Sequence, residues 1–593
     1  MNSLVAQNIS ETKIDTLVKQ DSVKTSKFNR FLKKVLFKKK SNSPTKFAEN
    51  NFGNHNTLNK PIRNIIINSH EPFGYSLQDT TKKPEKWIER AGNSLHGKTK
   101  PFVIRELLLF KKGDRIDSLK IKESERLLRA QRIIRRVDIK PQLSENGDSV
   151  DVYVNTLDSW SMLITGSFST SKIGVRISER NFLGLGHVLY NRYRHNYESG
   201  KSLYHFNYTV PNIAKTRIIG SVNYAKNEED YYNKEISFTR PFFSPLAKWA
   251  GGISVGQVFF QDSLDYNREE LQHYNFKYNY TDIWGAKAFR VKENVDGKIT
   301  NFITSVRYYN RAYKENPTYE MDPYDIFSNQ YNYFLGLGIS SRKYKKDSYI
   351  FNNGIIEDIA EGYVFGVTSA IQKRDLYSRN YLGGRVSYGK YFRNMNYFGF
   401  DIQYGSFFRN KYTEQTTFNL NVLHFSKLMN MGRWKMRAFS KVNYTVGGHR
   451  FDTPADELTL NQNDYNGISG IRRARGLYGD QKLLLEMQLQ TYSPYEFLGF
   501  RLSPFVNAAM GVIGERKNQL YSSSNTILRI GLGVIFSNDY FIFNNFQISL
   551  SYYPKLPGEG LNVLKTNIID NRDFELMDYT FDKPGYIRWN RWD

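Results

Sequence analysis

The chain has 593 residues, with 84 Lys+Arg against 58 Asp+Glu, a formal charge of +26 and no cysteine. The missing thiols exclude a disulfide framework, a thiolate nucleophile, a Cys-ligated zinc and an iron–sulfur cluster. No stretch approaches the roughly 18 consecutive apolar residues of a transmembrane helix, and 42 Tyr, 41 Phe, 7 Trp and 42 Gly in a chain only 40% hydrophobic are the composition of many strands apolar on one face.

Residues 1–6 read as the tail of a signal peptide, with Ala6 and Gln7 suiting a cleavage point although no apolar core precedes them. Residues 1–60 form a basic extension, carrying nine Lys/Arg and no acidic residue from Lys24 to Lys46. Within it Phe28, Phe31, Leu32, Val35 and Leu36 fall at helical spacing among lysines, which predicts a short basic amphipathic helix. A solvated linker, a helix on anionic lipid and a plug segment all stay open as its role.

Residues 61–157 predict a small α+β unit of order β-α-α-β-β. Residues 63–69 (RNIIINS) read as a strand and 100–110 as a helix with Pro101 in its first turn. Residues 118–132 read as a second helix, and 133–140 and 149–155 as two strands around the Asn146-Gly147 turn.

Residues 158–593 repeat a period-two alternation in about sixteen to twenty segments. Leu483, Leu485, Met487 and Leu489 share one face, while Glu486, Gln488 and Gln490 share the other; Phe546, Ile548, Leu550 and Tyr552 oppose Gln547, Ser549 and Ser551 in the same way. The apolar faces are rich in Tyr, Phe and Trp and the opposite faces in Lys, Arg, Gln and Asn. That arrangement predicts a transmembrane antiparallel β-barrel with interfacial aromatics and a polar lumen, preceded by the small α+β domain, rather than a soluble sandwich.

Residues 92–99 (GNSLHGKT) fit the phosphate-loop pattern GxxxxGK[ST]. That pattern binds phosphate when it follows a buried strand and opens a helix. Here the charged, helix-like KKPEKWIERA precedes it, so a polar loop is expected. HExxH and GxSxG are missing, and His187, His205 and His424 sit singly in alternating strands. The expectation is a non-enzymatic chain without cofactor or metal. The positive charge is spread over many strands, so no nucleic-acid partner is expected.

The unit at 61–157 followed by a barrel resembles one POTRA domain of the BamA/TamA superfamily of outer-membrane proteins, with its bacterial surface antigen barrel. The likeness rests on residues 103–114 (VIRELLLFKKGD), 124–139 (SERLLRAQRIIRRVDI) and 148–161 (DSVDVYVNTLDSWS). It rests also on residues 179–187 (ERNFLGLGH), similar to the family's hairpin near the barrel start. Residues 469–480 (SGIRRARGLYGD) resemble the family's RGF/RGY loop, which folds back into the lumen, with Arg475 and Gly476 in the motif positions, Leu477 where the aromatic stands and Tyr478 after it. Asn507, in 503–511 (SPFVNAAMG), occupies the place of the aspartate that anchors the loop arginine, and Glu486 on the neighbouring strand is the carboxylate offered in its stead.

The resemblance implies sixteen strands, and the segment count leaves room for more. Trp592 is the candidate for the family's terminal aromatic signal. The resemblance further implies a bacterial outer membrane with the POTRA domain in the periplasm, and lipid, lipopolysaccharide, unfolded client polypeptides and accessory lipoproteins as partners. Its implied work is insertion or translocation of clients by strand addition at the POTRA sheet edge and the barrel seam. A dedicated two-partner-type secretion pore and a plain porin or receptor are the alternatives.

Overall fold

The computed structural model describes residues 37–39 and 57–590 apart from 78, 80, 265–271, 295–296, 393–395, 463–465, 472–476, 498, 516–524, 539, 541–544, 558 and 571–573. The expected helix over 28–36, Arg475, Gly476 and Trp592 lie outside the described residues. Just after that expected helix, Phe37–Lys39 is a short strand paired antiparallel with Tyr495–Phe497.

The small domain is a three-stranded sheet in which Val150–Asp158 lies in the centre, parallel to Ile62–His70 and antiparallel to Ile134–Leu143. The Asn146-Gly147 turn forms as the sequence predicts, with Gly147 at φ +67°, a conformation that favours glycine. Three helices accompany the sheet, one more than expected. The additional helix, Trp87–Leu95, comes from the charged KKPEKWIERA stretch, and the Glu89 carboxylate accepts the backbone N–H of Glu85 and Lys86 at 3.1 and 3.3 Å at its start. Pro101–Leu107 opens on a proline, whose missing N–H costs nothing at that position. Ser118–Ala130 is capped by Asp117, which accepts from Leu119 and Lys120 at 2.8 and 3.3 Å. Ile104, Leu107, Ile121 and Leu128 from the last two helices close over Ile139, Val150, Val152 and Val154 of the sheet, each burial stabilising by roughly 1.5–3 kcal/mol.

The large sheet holds 23 strand segments, three of which are three-residue pieces: Phe37–Lys39, Met429–Met431 and Tyr495–Phe497. The other twenty run from Met162–Phe168 to Gly560–Asp570, each antiparallel to the next. The barrel therefore exceeds sixteen strands and lands at the upper end of the segment count.

Alternation sets which face is which. On Gln330–Ser348 the side chains of Tyr331, Tyr333, Leu335, Leu337 and Ile339 are exposed, while Gln330, Asn332, Phe334 and Ser340 between them are buried. The same holds for exposed Leu528, Ile530 and Leu532 against buried Arg529, and for exposed Ile548 and Leu550 against buried Gln547, Ser549 and Ser551. A continuous outward apolar band is stable against lipid and costly against water, so the barrel spans a membrane with its polar face inward.

Strands that alternate in direction and are even in number return the chain at Asp570 to the mouth it left at Met162, beside the small domain. This end is called the near mouth below.

Candidate functional site

Three features meet in and around the lumen: the barrel seam, the joint between small domain and barrel, and the filling of the lumen. At the seam the first strand, Met162–Phe168, is seven residues long and its neighbour Gly560–Asp570 is eleven, so the first strand cannot cover the full length of the last. Ile164 and Phe168 on one edge and Leu561 and Leu564 on the other are exposed. At the near mouth the chain entering the first strand is tied to the turn between Thr526–Ser537 and Phe546–Leu556. The Trp160 backbone N–H donates to the Tyr540 carbonyl at 2.6 Å, the Phe73 ring lies against both Trp160 and Tyr540, and the Arg135 guanidinium sits 4.4 Å over the Tyr540 ring.

The joint explains the GNSLHGKT stretch. Its first four residues, 92–95, are the end of the helix Trp87–Leu95 rather than a loop leaving a buried strand, and its last residues are packed against the barrel turn at 183–186. Buried Asn181 donates through Nδ2 to the Gly97 carbonyl at 2.8 Å and to Thr99 Oγ1 at 3.0 Å, and its Oδ1 accepts the Gly186 N–H at 2.8 Å. Lys100 N–H donates to the Gly184 carbonyl at 3.0 Å. Asp158 accepts the Thr99 N–H at 2.8 Å and lies 3.1 Å from His96 Nε2. Ser161 Oγ is 3.5 Å from His96 Nδ1, so Ser161, His96 and Asp158 fall in the order of a hydrolytic triad. The His96 and Asp158 side chains are wholly shielded from solvent and Ser161 is 1% exposed, which makes the cluster a packing joint and not a reaction centre. Lys98→Ala will therefore leave the protein without any nucleotide-dependent change; ATP binding by the parent that this substitution abolishes would contradict the assignment.

A second contact lies across the near mouth. Arg129 makes two hydrogen bonds to Asp358, at 3.0 and 2.8 Å, and one to Glu125 at 2.5 Å, and Lys346 reaches Glu125 at 2.8 Å. Burial alone would lower the Arg129 pKa, but the Asp358 and Glu125 carboxylates more than offset it and hold the guanidinium charged.

The lumen is filled by two segments. The loop 449–480 folds inward over the last five strands. Leu458, Leu460, Ile468, Ile471 and Leu477 pack with luminal Leu484, Ile513 and Ile527, Tyr553 donates to the Ser469 carbonyl at 2.6 Å and Lys565 to the Gly470 carbonyl at 2.9 Å. Of the motif residues, Leu477 is buried in this cluster and Tyr478 pairs with Thr459. Asn507 is buried on the lumen face, and its Oδ1 has no hydrogen-bond partner among the described residues. Glu486 lies 3.3 Å from Lys441 and 3.8 Å from Arg529. The single histidines are satisfied within the sheet: His187 by Tyr208, His205 by Asn223 and His424 by Ser440.

The second segment was not expected. After Asp570 the chain does not end on a strand; residues 574–590 run without helix or strand up the lumen from the near mouth. Phe574 packs on Phe439, and Tyr579 and Phe581 are buried midway. At the far end Trp589 donates through Nε1 to the Asp456 carbonyl at 3.0 Å, and Arg450 covers its ring at 4.0 Å. The sequence signal was an aromatic-rich run lacking period two, interrupted by Pro584-Gly585.

No family model matches the sequence, and no curated protein sequence matches it. Among solved structures the chain is similar to CdiB from Acinetobacter baumannii, at 10% identity and TM-score 0.41 over 94% of this chain and 98% of that one. It is similar to BamA from Haemophilus ducreyi lacking POTRA domains 1–3, at 12% identity and TM-score 0.34 over 86% and 85%. It is also similar to the siderophore receptor PirA from Pseudomonas aeruginosa, at 8% identity and TM-score 0.31 over 73% and 72%. By its own strand order and outward apolar faces, the chain is a transmembrane β-barrel of twenty full strands with a small α+β domain pinned to one mouth.

Proposed function

We propose that the chain is a member of the BamA/TamA superfamily that inserts or translocates polypeptides at a bacterial outer membrane, with 61–157 as a single periplasmic POTRA domain. The observation that carries this reading is the seam. The first strand has seven residues against nine to twenty-two in the other nineteen, so the closing junction has the shortest strand of the barrel and leaves part of the eleven-residue last strand beyond its reach. Unpaired backbone facing lipid is costly, so an edge of this kind is a template for an incoming strand, which satisfies it without a shared sequence. The edges of the small sheet, Ile62–His70 and Ile134–Leu143, are the first such surfaces a client meets. The pairing of Phe37–Lys39 with Tyr495–Phe497 is a strand addition of this type within the chain.

The absence of a thiol anywhere in the sequence makes the seam directly testable. One cysteine in Met162–Phe168 and one in Gly560–Asp570, joined by a short bismaleimide, will stop client assembly while the barrel stays folded; unchanged assembly with the seam joined argues against the mechanism. The inward loop supports a role for its motif: Arg475→Ala will leave the barrel at wild-type abundance but impair assembly, and full activity at that abundance counts against it.

A plugged lumen also favours the second reading, a dedicated secretion pore whose plug leaves to let one client pass. It argues against a plain porin, whose lumen must stay open to water.

A further inference from the structure

We propose that the lumen carries a binding lane for an extended polypeptide bearing spaced aromatic residues, and that the C-terminal tail is its resident occupant. The ligand class rests on the polypeptide-handling reading above; the lane itself rests on how the wall meets the tail.

The wall reads the tail in two ways. It holds backbone: the carbonyls of Asp578 and Thr580 accept from Arg385 at 2.9 and 3.3 Å, that of Tyr579 from Ser340 at 2.6 Å, that of Pro584 from Arg307 at 3.1 Å and that of Arg588 from Asn419 at 2.7 Å. Such contacts do not depend on the side chain of the bound segment. The wall also seats rings on glycine. A Cβ at Gly338 would come 2.6 Å from the Phe581 ring, and Gly336 and Gly366 flank the same ring. Gly389 and Gly399 lie under the Tyr579 hydroxyl, and Gly447 lies under Trp589. Tyr586 rests between Phe334, Tyr381 and Phe407 at ring distances of 4.7 to 4.8 Å.

A barrel that only needs its lumen filled can fill it with bulky inward side chains. Here inward positions on neighbouring strands are left as glycine, where a side chain could pack, and the space is given to aromatic rings of a separate segment. Glycine also weakens a strand interior. Its placement under successive rings is explained by a seat for those rings. Backbone donors along the lane and aromatic seats at set intervals are the chemistry that holds an unfolded segment of the pattern Tyr-x-Phe followed by Tyr-x-x-Trp.

The test keeps the full chain. A protease site placed at 571–573 is cut after folding, and the cut protein in detergent is offered a labelled synthetic peptide of residues 571–593. The labelled peptide will exchange into the lumen, and an unrelated extended peptide with the same aromatic spacing will compete with it. A version with serine at positions 579, 581, 586 and 589 will compete about 100-fold less well or worse, because buried aromatic anchors carry most of such an interface. Failure of the label to enter, or equal competition by the serine peptide, overturns the lane. Phe581→Ser in the uncut chain supplies a second readout: single-channel conductance in planar bilayers will rise, and an unchanged conductance overturns the resident-plug assignment. Neither readout uses client assembly, so the lane can fail while the insertion reading stands, and seam linking can fail while the lane stands.

Discussion

Asn181→Leu will free the small domain from the near mouth while both parts stay folded. The residue is 1% exposed, and its amide makes all three of the hydrogen bonds to Gly97, Thr99 and Gly186 described above. Leucine has the same branched heavy-atom skeleton with bulkier ends and no polar atom, so the substitution opens no cavity. It leaves the Gly97 carbonyl and the Gly186 N–H short of partners at a buried site. A buried group stripped of its partner costs about 1–3 kcal/mol, and the loss falls on one joint rather than on either core. The core of the small domain, Ile104, Ile139 and Val152 with their neighbours, is untouched. The readout is limited trypsin cleavage after Lys98, expected to accelerate about tenfold or more as the joint opens locally. Cleavage at the parental rate would mean that the remaining contacts, Arg129–Asp358 and Lys346–Glu125 among them, hold the domain.

Leucine at both Gly338 and Gly366 will expel Phe581 and with it the middle of the tail. Neither glycine has positive φ, so the backbone accepts a side chain and the effect is steric alone. The Cβ at Gly338 would lie 2.6 Å from the ring, well inside van der Waals contact, and overpacking of this kind costs typically 1–3 kcal/mol per site. The described tail residues are held by hydrogen bonds and ring contacts and not by sheet pairing, so displacement relieves the clash more cheaply than distortion of the sheet. The expected result is a folded barrel whose tail is cut by added protease and whose conductance rises. Gly285→Leu is the control, because a Cβ there meets nothing within 4 Å. A double variant indistinguishable from that control would show that the glycines are not seats.

These residues also show what a sequence displays and what it hides. Leu483, Leu485, Met487 and Leu489 declare their outward face because strand periodicity is local, and the structure leaves Met487 and Leu489 exposed while Glu486, Gln488 and Gln490 are buried. The Asn146-Gly147 turn and the Asp117 cap are likewise written within a few residues. The tail left only a negative signal, an aromatic run without period two, for the converse reason: an extended segment held by a wall from other strands has no period of its own, and Gly338 or Gly366 reads as a weak strand position until Phe581 is set above it. The GNSLHGKT match failed as a phosphate loop because its geometry depends on a preceding strand, and here its first half is the end of a helix and Asn181, more than eighty residues on, claims its polar groups. Glu486 was placed on the correct face, but its partners Lys441 and Arg529 come from neighbouring strands and no spacing rule joins them. The seam has no local signature at all, since it is defined by strands some 400 residues apart.

The central claim, a barrel that inserts or translocates polypeptides, is tested most directly by depleting the protein and quantifying the proteome of purified outer membranes. The account predicts loss of client proteins: a broad fall in many barrel proteins for an insertion factor, or loss of one or a few exported proteins for a dedicated translocator. An outer membrane changed only by the missing protein itself would contradict it.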